Sequence, residues 1–380
     1  MGVFCYFSIE IFIRMWYNTN IYVLIKKGTL NMAKIRVAVL FGGATKDHKL
    51  SLQSAFSVLN GLSKEKYDVT PIGITKKGRW FYFPGDYEEI RLGTWENNSD
   101  CCSAIISPDP IHAGVITIMS DGDTATKRID VVLSALHGKY GEGGRIQSLL
   151  KLARIPYTDC NPDTANYCMD KILTHTILND AGIDVPQYTS ISRSEINKLD
   201  ERISEIEKKF SYPMYISAAS CSSAIGANLA NNPEEFKTAA KIAFSHHHTA
   251  IVEEFLSGRT LFCVVTGGAY HVEVSSIGET MKTAVNNPYA GYTASFNPRA
   301  DLSPDEEKTI RETAVKAFKV LNFKGYAKMC FSLTNGRILL RRITAIPGFS
   351  PESTMPMLME ESGITYSEML DRLITQAIEG

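Results

Sequence analysis

The sequence lacks the features that mark several classes of protein. Its 40 Lys and Arg nearly balance 41 Asp and Glu, and the formal net charge of -1 gives no reason to expect nucleic acid or an anionic membrane as a partner. The eight cysteines are scattered, with no CxxC pair and no Cys/His spacing typical of zinc sites. A chain of 380 residues is long enough for two or three domains with a large core, so it needs no disulfide framework. We therefore expect reduced cysteines and a cytoplasmic protein.

The first 31 residues contain no long uncharged apolar run, although they are rich in aromatic and aliphatic side chains. Glu10 and Arg14 interrupt the segment, so no uncharged stretch approaches the roughly 18 residues that a membrane-spanning helix needs. The segment has no cleavage site of the signal-peptide kind, and Met32 precedes a clean strand pattern. We interpret residues 1–31 as an extra segment from a start codon assigned too early. A membrane-associated anchor is the alternative.

The sequence does contain an alternation of strand and helix patterns. Residues 35–41 (IRVAVLF) predict a buried strand that ends in two glycines, and a helix is expected to begin near Ser51. Residues 69–75 predict the next strand. Residues 131–136 predict another strand, which leads into the glycine-rich loop 137–144. Strands that alternate with helices and end in such loops predict a parallel α/β domain.

The clearest helix signal begins at Ser303. Ser303 is a favourable N-cap, Pro304 suits the first helical position, and Glu306 completes a capping box. Apolar residues then recur at helical spacing, at Ile310, Ala314, Ala317 and Leu321. These features predict an amphipathic helix in the last third of the chain.

A β-hairpin is predicted around Asn335 and Gly336, because two apolar runs flank this strong turn signal. In its second strand, regular alternation predicts that the adjacent Arg341 and Arg342 point to opposite faces. The two predicted faces are Leu340, Arg342 and Thr344 on one side, and Leu339, Arg341 and Ile343 on the other. One of the two arginines should therefore point toward a core or a site.

The chain resembles the D-alanine–D-alanine ligases of the ATP-grasp superfamily in the order of several separate motifs. These motifs are VAVLFGG, D-H-x-x-S-L-Q-S-A, L-H-G-x-x-G-E-G-G-x-I-Q, IPYT, MDK, VEEF, F-x-G-Y-A-K and PGF, and they span nearly all of residues 33–378. The resemblance implies an α/β fold, with an N-terminal parallel α/β domain followed by a two-part ATP-grasp fold. After the extra segment, we expect domains at residues 33–164, 165–258 and 259–380.

The resemblance also implies an activity. In this family, ATP phosphorylates the carboxylate of one D-alanine, and the amine of a second D-alanine attacks the acyl phosphate to give a dipeptide for peptidoglycan. The implied ligands are a D-amino acid and ATP, the implied metal is magnesium, and the implied assembly is a homodimer. Neither nucleic acid nor a membrane is expected as a partner.

Five positions match catalytic or substrate-binding residues of the family. Asp47 stands where the family usually has Glu, so the charge survives with one methylene less; a helix-capping Asp is the alternative. His137 and Glu142 match substrate-binding residues of the glycine-rich loop. Ser223 matches a loop serine near the substrates and is assigned a catalytic role with Asp47. Ser353 matches a serine that holds the carboxylate of the second substrate.

The nucleotide-binding residues match the family only in part. Lys171, in MDK, matches one of two lysines that hold phosphate oxygens, which need cations and donors. The second lysine is replaced, because residues 217–219 (SAA) occupy the frame in which the family has K-P-S. Glu253 and Glu254 remain for the adenine end.

The metal positions depart furthest from the family. Magnesium prefers hard oxygen ligands, and the family supplies Asp, Glu and Asn where this chain has Cys330, Arg342 and Thr344. A fixed guanidinium charge repels a divalent cation, so we expect these three residues to be non-ligands and the magnesium site to be lost. Lys328 replaces the catalytic arginine that polarises the transferred phosphate, which keeps the charge without the bidentate geometry. No tyrosine of the shortened lid segment around residues 279–296 is assigned.

Replacement of one phosphate lysine and three metal ligands removes the charge neutralisation on which phosphoryl transfer depends. The leading interpretation is a degenerate family member, or pseudoenzyme, with ligase activity lost or severely impaired, which binds ATP or a small molecule without metal. On this interpretation Arg342 would pair with a phosphate; an exposed or core-capping arginine is the ordinary alternative. A working D-alanine–D-alanine or D-alanine–D-X ligase, and a non-catalytic partner of an active paralogue, are the other hypotheses.

Overall fold

Three β-sheets follow one another along the computed structural model, which describes residues 33–220, 227–268, 271–280 and 295–379. By its internal contacts, the chain from Ile35 onward forms one unit. The three sheets belong to the unit that begins at Ile35. The predicted extra segment, residues 1–31, lies outside the described residues.

The first sheet combines parallel and antiparallel strands. Its strands are β1 Ile35–Gly42, β2 Tyr67–Ile74, β3 Trp80–Tyr82, β4 Cys102–Ile106, β5 Gly114–Ile118, β6 Thr124–Arg128 and β7 Val131–Ser134, in the order β6-β5-β4-β3-β2-β1-β7. β1 is parallel to β2 and β7, and the other pairs are antiparallel. The predicted α/β class is confirmed. Short connections join β2 to β3, β4 to β5 and β5 to β6, as antiparallel neighbours allow, whereas residues 83–101, which include α2, join β3 to β4.

Successive residues of β1 face two separate cores, which explains its unbroken apolar sequence. The flanking helices are α1 His48–Gly61, α2 Tyr87–Leu92, α3 Gly138–Glu142, α4 Arg145–Leu152 and α5 Pro162–Met169. Val37 and Val39 pack with apolar residues of α1, whereas Ala38 and Leu40 pack with α4 on the other side of the sheet. A strand that is covered on both faces is apolar at every position. The helix predicted to begin near Ser51 begins at His48.

The second sheet is antiparallel and has one apolar face. Its strands are β8 Tyr188–Ser192, β9 Met214–Ala218, β10 Asn228–Ala230 and β11 Thr249–Glu254, in the order β10-β9-β11-β8. The accompanying helices are α6 Lys171–Asp180, α7 Leu199–Glu207 and α8 Pro233–His246. Ile216 and Val252 are buried with apolar residues of α7 and α8. Because side chains alternate along a strand, Ser217 and Glu253 face the opposite side.

The third sheet is also antiparallel. Its strands are β12 Arg259–Gly267, β13 Val272–Val274, β14 Gly278–Thr280, β15 Phe296–Asn297, β16 Gly325–Thr334 and β17 Arg337–Thr344, in the order β15-β14-β12-β16-β17 with β13 beside β12. Helix α9 (Pro304–Val320) covers its apolar face, and α10 (Thr354–Glu361) and α11 (Tyr366–Glu379) pack into the core of the first sheet. No helix in the described part of the chain is long and apolar enough to cross a membrane.

Two local signals in the last third of the chain are confirmed. Asn335 and Gly336 form the hairpin turn between β16 and β17 with positive φ angles of 49° and 74°, as a two-residue turn requires. At the start of α9, the Ser303 hydroxyl accepts a hydrogen bond from the Glu306 N–H at 3.3 Å. In return, the Glu306 carboxylate accepts one from the Ser303 N–H at 2.9 Å. The capping box is therefore complete.

The predicted regular alternation of β17 is wrong, because the strand contains a β-bulge. Cys330 lies opposite Arg342, and the next residue, Phe331, lies opposite Leu340. Arg341 is therefore the extra residue of the bulge. Sequence periodicity cannot reveal the bulge, because it depends on the register with β16.

The bulge also changes which residues share a face. Leu340 and Ile343 were predicted on opposite faces, but both are buried in the core beneath α9, at 0% and 3% exposure. Arg341 and Arg342, predicted on opposite faces, instead both lie close to the Cys330 thiol, which is on the polar side of the hairpin. Successive core positions of β17, Leu340 and Ile343, are thus three residues apart, whereas in a regular strand they would be two residues apart.

A buried polar network joins the first and third sheets. Asp159 is 1% exposed and accepts hydrogen bonds from Gln147 Nε2 at 2.7 Å and from the Tyr326 hydroxyl at 3.3 Å. Burial raises the pKa of Asp159 to about 7, and the bonds from Gln147 and Tyr326 oppose the rise. Because Gln147 lies on α4 and Tyr326 on β16, the network fixes the first sheet against the hairpin.

We predict that Ser303→Ala lowers the free energy of unfolding by about 1 kcal/mol, because it removes the N-cap and half of the capping box. The measurement is urea denaturation followed by circular dichroism. Ser57→Ala is the matched control, because the Ser57 hydroxyl bonds only within α1, to the Gln53 carbonyl, and alanine favours the helix interior. Equal effects of the two substitutions would contradict the capping role.

Candidate active site

Three groups of polar side chains meet around the polar face of the hairpin. The hairpin group is Lys328, Cys330, Arg341 and Arg342; the first-sheet group is Asp47, His137 and Glu142; the second-sheet group is Lys171, Ser217 and Glu253. The charge of Lys328 acts on both His137 and Glu142, and the charge of Arg341 acts on Glu253. The hairpin group therefore lies between the other two.

His137 is a buried, neutral imidazole at the end of β7. It is 3% exposed, and its Nε2 lies 2.9 Å from the Ser54 hydroxyl. The same hydroxyl accepts a hydrogen bond from the Phe349 N–H at 3.3 Å. Burial lowers the pKa of His137 to about 4, the charge of Lys328 adds to this effect, and a hydrogen bond to the Ile346 backbone opposes it. At neutral pH the ring is therefore a hydrogen-bonding group and not a cation.

Glu142 is buried at the end of the glycine-rich loop. Its Oε1 accepts a hydrogen bond from the Gly138 N–H at 3.0 Å. Burial raises its pKa to about 7, the nearby Arg342 and Lys328 charges and the Gly138 bond lower it, and Asp47 raises it further. A carboxyl group with this pKa is half protonated near neutral pH. Its ionised form would attract a cationic group of a ligand.

Asp47 precedes α1, but it does not cap the helix. Its side chain makes no capping hydrogen bond, which removes the structural basis of the alternative interpretation. Instead its Oδ2 lies against Gly138, where an added Cβ would come within 2.5 Å of it. Burial raises the pKa of Asp47. Asp47 and Glu142 thus form a pair of carboxyl groups that suits an ammonium group.

Ser353 lies on the loop that follows the hairpin, immediately before α10. Its hydroxyl is 2.8 Å from that of Ser350 and makes no capping bond. The same loop carries Phe349, which is bonded to Ser54 in the first-sheet region. The hydrogen bond therefore holds the loop of Ser353 close to His137.

The second-sheet group is a buried ion-pair network. Lys171 Nζ donates to the Ser217 hydroxyl at 3.1 Å and to the Ala218 carbonyl at 2.9 Å. Glu253 is 3% exposed, and its Oε1 lies 3.0 Å from His175 Nε2. Burial by itself would raise the pKa of Glu253, but the bond from His175 and the charges of His175, Lys171 and Arg341 lower it. Glu253 is therefore ionised at neutral pH.

Glu254 does not join this network, because the next residue of a strand faces the other way. Its Oε1 accepts a hydrogen bond from the Gln187 N–H at 2.8 Å, and with Phe255 it lines a pocket on that side. The structure thus separates Glu253 from Glu254. A role of Glu254 at the adenine end stays a prediction.

The hairpin group concentrates positive charge around one thiol. In β16 and β17, Cys330 pairs with Arg342, and Lys328 pairs with Thr344. Burial raises the pKa of Cys330, and the charges of Arg341, Lys328 and Arg342 oppose the rise. Arg342 and Glu142 line one small cavity, together with Ala165, Cys168, Met169, Ile343 and Ala345.

The donor set around the hairpin is poorly suited to magnesium. Cys330 offers sulfur, Thr344 a hydroxyl, and Arg342 a positive charge, whereas magnesium prefers carboxylate and phosphate oxygens. Within residues 33–220, 227–268, 271–280 and 295–379, no group of three or more His, Cys, Asp or Glu side chains is placed to hold a metal ion.

Three residues of these networks were missed by the sequence patterns: Ser54, His175, and Ser217 as a hydrogen-bond partner of Lys171. The face to which Arg341 belongs was also predicted wrongly. Ser54 carries a usable signal, because it is a polar residue on the buried face of α1. His175 follows Lys171 by one helical turn and lies on the same face. Arg341 carries no such signal. Ser223 and most of the lid segment, residues 281–294, lie outside the described residues.

Comparisons with known proteins point to one family. A family model described as "D-ala D-ala ligase N-terminus" matches residues 36–160, and one described as "D-ala D-ala ligase C-terminus" matches residues 177–375. A D-alanine–D-alanine ligase of Thermoanaerobacter sp. (strain X514) is 35% identical over 358 residues, which cover 92% of this chain and 98% of the relative.

Two proteins from enterococci are also similar. The vancomycin/teicoplanin A-type resistance protein VanA of Enterococcus faecium is 33% identical over 358 residues, covering 92% of this chain and 100% of the relative. The solved structure of the VanG D-Ala:D-Ser ligase from Enterococcus faecalis superposes with a TM-score of 0.82 at 31% identity, covering 91% of this chain and 100% of that chain.

We predict that Glu142→Gln changes the pH dependence of stability. Because the pKa of Glu142 is about 7 in the folded protein against an ordinary 4.5, the folded state keeps a proton that the unfolded state releases. The stability from this group is full below pH 4.5 and is lost as pH rises to 7. The free energy of unfolding of the variant minus that of the unaltered protein should therefore rise by about 3 kcal/mol across this range.

Urea denaturation at intervals between pH 4.5 and 7 measures this difference. Glu360→Gln is the control, because Glu360 is exposed on α10. Its substitution removes a carboxylate from the surface and should not produce the same pH-dependent change in the free energy of unfolding. A difference between the Glu142 variant and the unaltered protein that stays constant with pH would show that burial does not hold the proton on Glu142.

Proposed function

The chain belongs to the D-alanine–D-alanine ligase family, and from this premise we propose that its ligase activity is lost or severely impaired. Its function is D-alanine–D-alanine ligase-like, on an ATP-grasp fold. We assign it to the peptidoglycan precursor pathway and expect it to act in the cytoplasm as a homodimer. ATP and a D-amino acid are the ligands we assign to it.

The first-sheet group supports binding of an amino acid. Asp47 and Glu142 are carboxyl groups that both lie close to Gly138, and both have raised pKa values that an ammonium ligand would bring down. His137 supplies a neutral hydrogen-bonding ring, held by Ser54. Ser353 is on the neighbouring loop and is assigned to the carboxylate of a second amino acid.

The hairpin group carries the proposal of impaired activity. Transfer of a phosphoryl group depends on positioning and on neutralising the charge of the phosphate oxygens. The magnesium ion that the family implies would supply this neutralisation when bound, but Cys330, Arg342 and Thr344 do not fit it. A unit charge about 4 Å from another opposes it by roughly 4 kcal/mol at an effective dielectric of 20, and the metal is divalent.

One observation supports the proposal above all others, namely the cross-strand pair of Cys330 with Arg342 on the polar face of the hairpin. A thiol and a guanidinium occupy adjacent positions there, and the charges of Lys328 and Arg341 lie close to the same thiol. A site of this composition attracts anions and repels cations.

A working ligase is the second candidate, because Lys171, His137 and Glu142 stand in ordered hydrogen-bonded positions. The relatives at 33% and 35% identity are a vancomycin/teicoplanin resistance protein and a D-alanine–D-alanine ligase, which also favours this candidate. On this hypothesis the chain would join D-alanine to D-alanine or to another D-residue. The two candidates differ in one measurable quantity, the turnover of ATP that depends on D-alanine.

We predict that the purified full chain releases no D-alanine-dependent phosphate from ATP in the presence of magnesium, because the metal position carries an arginine. The triple variant Cys330→Asp, Arg342→Glu, Thr344→Asn should release D-alanine-dependent phosphate at a rate at least 10-fold above the detection limit of the assay, since it restores oxygen ligands of the kind that magnesium prefers. Phosphate release is measured by a coupled colorimetric assay with and without D-alanine.

The matched control is Cys330→Ser, Arg342→Gln, Thr344→Val, which removes the guanidinium without adding a carboxylate. Thermal melting establishes that each variant is folded. The proposal would be contradicted if the unaltered protein turned over ATP in a D-alanine-dependent manner at about 1 per second or more, a rate typical of enzymes. This holds for any result with the variants.

A further inference from the structure

The bulge in β17 gives the hairpin a property that a regular strand does not have. In a regular strand, neighbouring residues point to opposite faces. Here Leu340 and Ile343 are both in the core, so the two residues between them are available to the polar side. Arg341 is 7% exposed and close to Glu253, while Arg342 is half-buried beside Glu142. Two consecutive arginines of a single strand therefore both lie close to the Cys330 thiol.

Lysines add to this charge from both sides. Lys328, on β16, lies close to Cys330 and has its Nζ 5.7 Å from the centre of the Phe262 ring. Lys171 approaches from α6 and lies near Glu253 together with Arg341. Guanidinium groups stay charged at any physiological pH. Three basic side chains, Lys328, Arg341 and Arg342, thus lie close to the Cys330 thiol, and Lys171 lies close to Glu253 together with Arg341.

Among the described residues, Glu253 and Glu142 are acidic groups that lie close to this cluster. Glu253 is ionised and interacts with Lys171 and Arg341. Glu142, beside Arg342, has a pKa of about 7 and is only partly ionised at neutral pH. Charges taken out of water are stable only when opposite charges balance them. The composition of the cluster therefore favours an anion with several negative charges.

The chemistry of arginine narrows the class of anion. A guanidinium presents a planar fork of donors that matches two oxygens of one phosphate, and it is weakly hydrated, which suits a partly buried site. Two such forks in sequence match two neighbouring phosphate groups. Lys171 donates hydrogen bonds to the Ser217 hydroxyl and the Ala218 carbonyl, both on β9, and so adds its charge from the side of the second sheet.

We propose that Arg341 and Arg342 bind the phosphate chain of a nucleoside triphosphate in the absence of a divalent cation, and that metal weakens this binding. The proposal rests on the assignment of a nucleotide to this site in the proposed function. Arg341 and Arg342 contribute positive charge next to the phosphates, and Lys171 and Lys328 contribute the rest. A magnesium ion on the ligand cancels part of the negative charge that the arginines recognise, so the complex of magnesium with ATP is the poorer ligand.

The test is calorimetric titration of the full chain with ATP, once in excess EDTA and once in excess magnesium. We expect ATP to bind more tightly in EDTA than in magnesium, by up to 10-fold, and equal affinities in the two conditions would contradict the weakening by metal. Arg341→Gln and Arg342→Gln should each weaken binding in EDTA by at least 10-fold, because each removes a charge-assisted bidentate contact. Arg337→Gln, exposed on the same strand near the turn, should leave the affinity unchanged.

Arg341 is buried beside Glu253, so Arg341→Gln is checked by thermal melting without ligand. If that variant does not fold, Arg342→Gln and the comparison of EDTA with magnesium on the unaltered protein decide the matter. ATP binding that requires magnesium, or an absence of ATP binding in both conditions, would overturn the inference. Tight binding in EDTA together with D-alanine-dependent turnover in magnesium would overturn the proposed loss of activity and leave the inference standing.

Discussion

The pairing of β16 with β17 is the constraint on which the site depends. One face of this hairpin forms the core beneath α9, so its register is fixed by the burial of residues such as Phe331 and Leu340. The side chains that do not enter the core, such as Cys330 and Arg342, lie on the other face. Leu340 and Ile343 occupy the core positions on the two sides of the bulge. Arg341 and Arg342 therefore lie on the polar side of the hairpin.

The two flanking groups are attached to the hairpin by buried polar contacts. Ser54 holds both His137 and the loop of Phe349, and the Asp159 network connects α4 with β16. On the other side, Glu253 interacts with Lys171 and with Arg341. If one partner of such a contact is removed, the other is left as a buried polar group without a hydrogen bond. The resulting loss of folding free energy is larger than the net contribution of the hydrogen bond itself. The geometry of the site is therefore stabilised by the same contacts that join the sheets.

Local sequence signals predicted local structure well. The Ser303 capping box and the Asn335–Gly336 turn involve neighbours along the chain, and both are present. The side of Arg341 could not be predicted, because a bulge depends on how two strands align and leaves no mark in either one. The antiparallel strands β4, β5 and β6 were not predicted, since short strands have little periodicity. The neutral state of His137 follows from burial, which periodicity cannot supply.

Adjacent guanidinium groups on one face repel each other whenever nothing lies between them. In this hairpin, Glu253 beside Arg341 and Glu142 beside Arg342 offset part of that repulsion, and the anion that we propose to bind there would offset more of it. The fold and the ligand are consequently linked by mass action, at about 2.7 kcal/mol of added stability when the ligand is present at 100 times its dissociation constant. If the proposed anion binds, the bulge that brings Arg341 beside Arg342 would make the stability of this hairpin depend on the concentration of that anion.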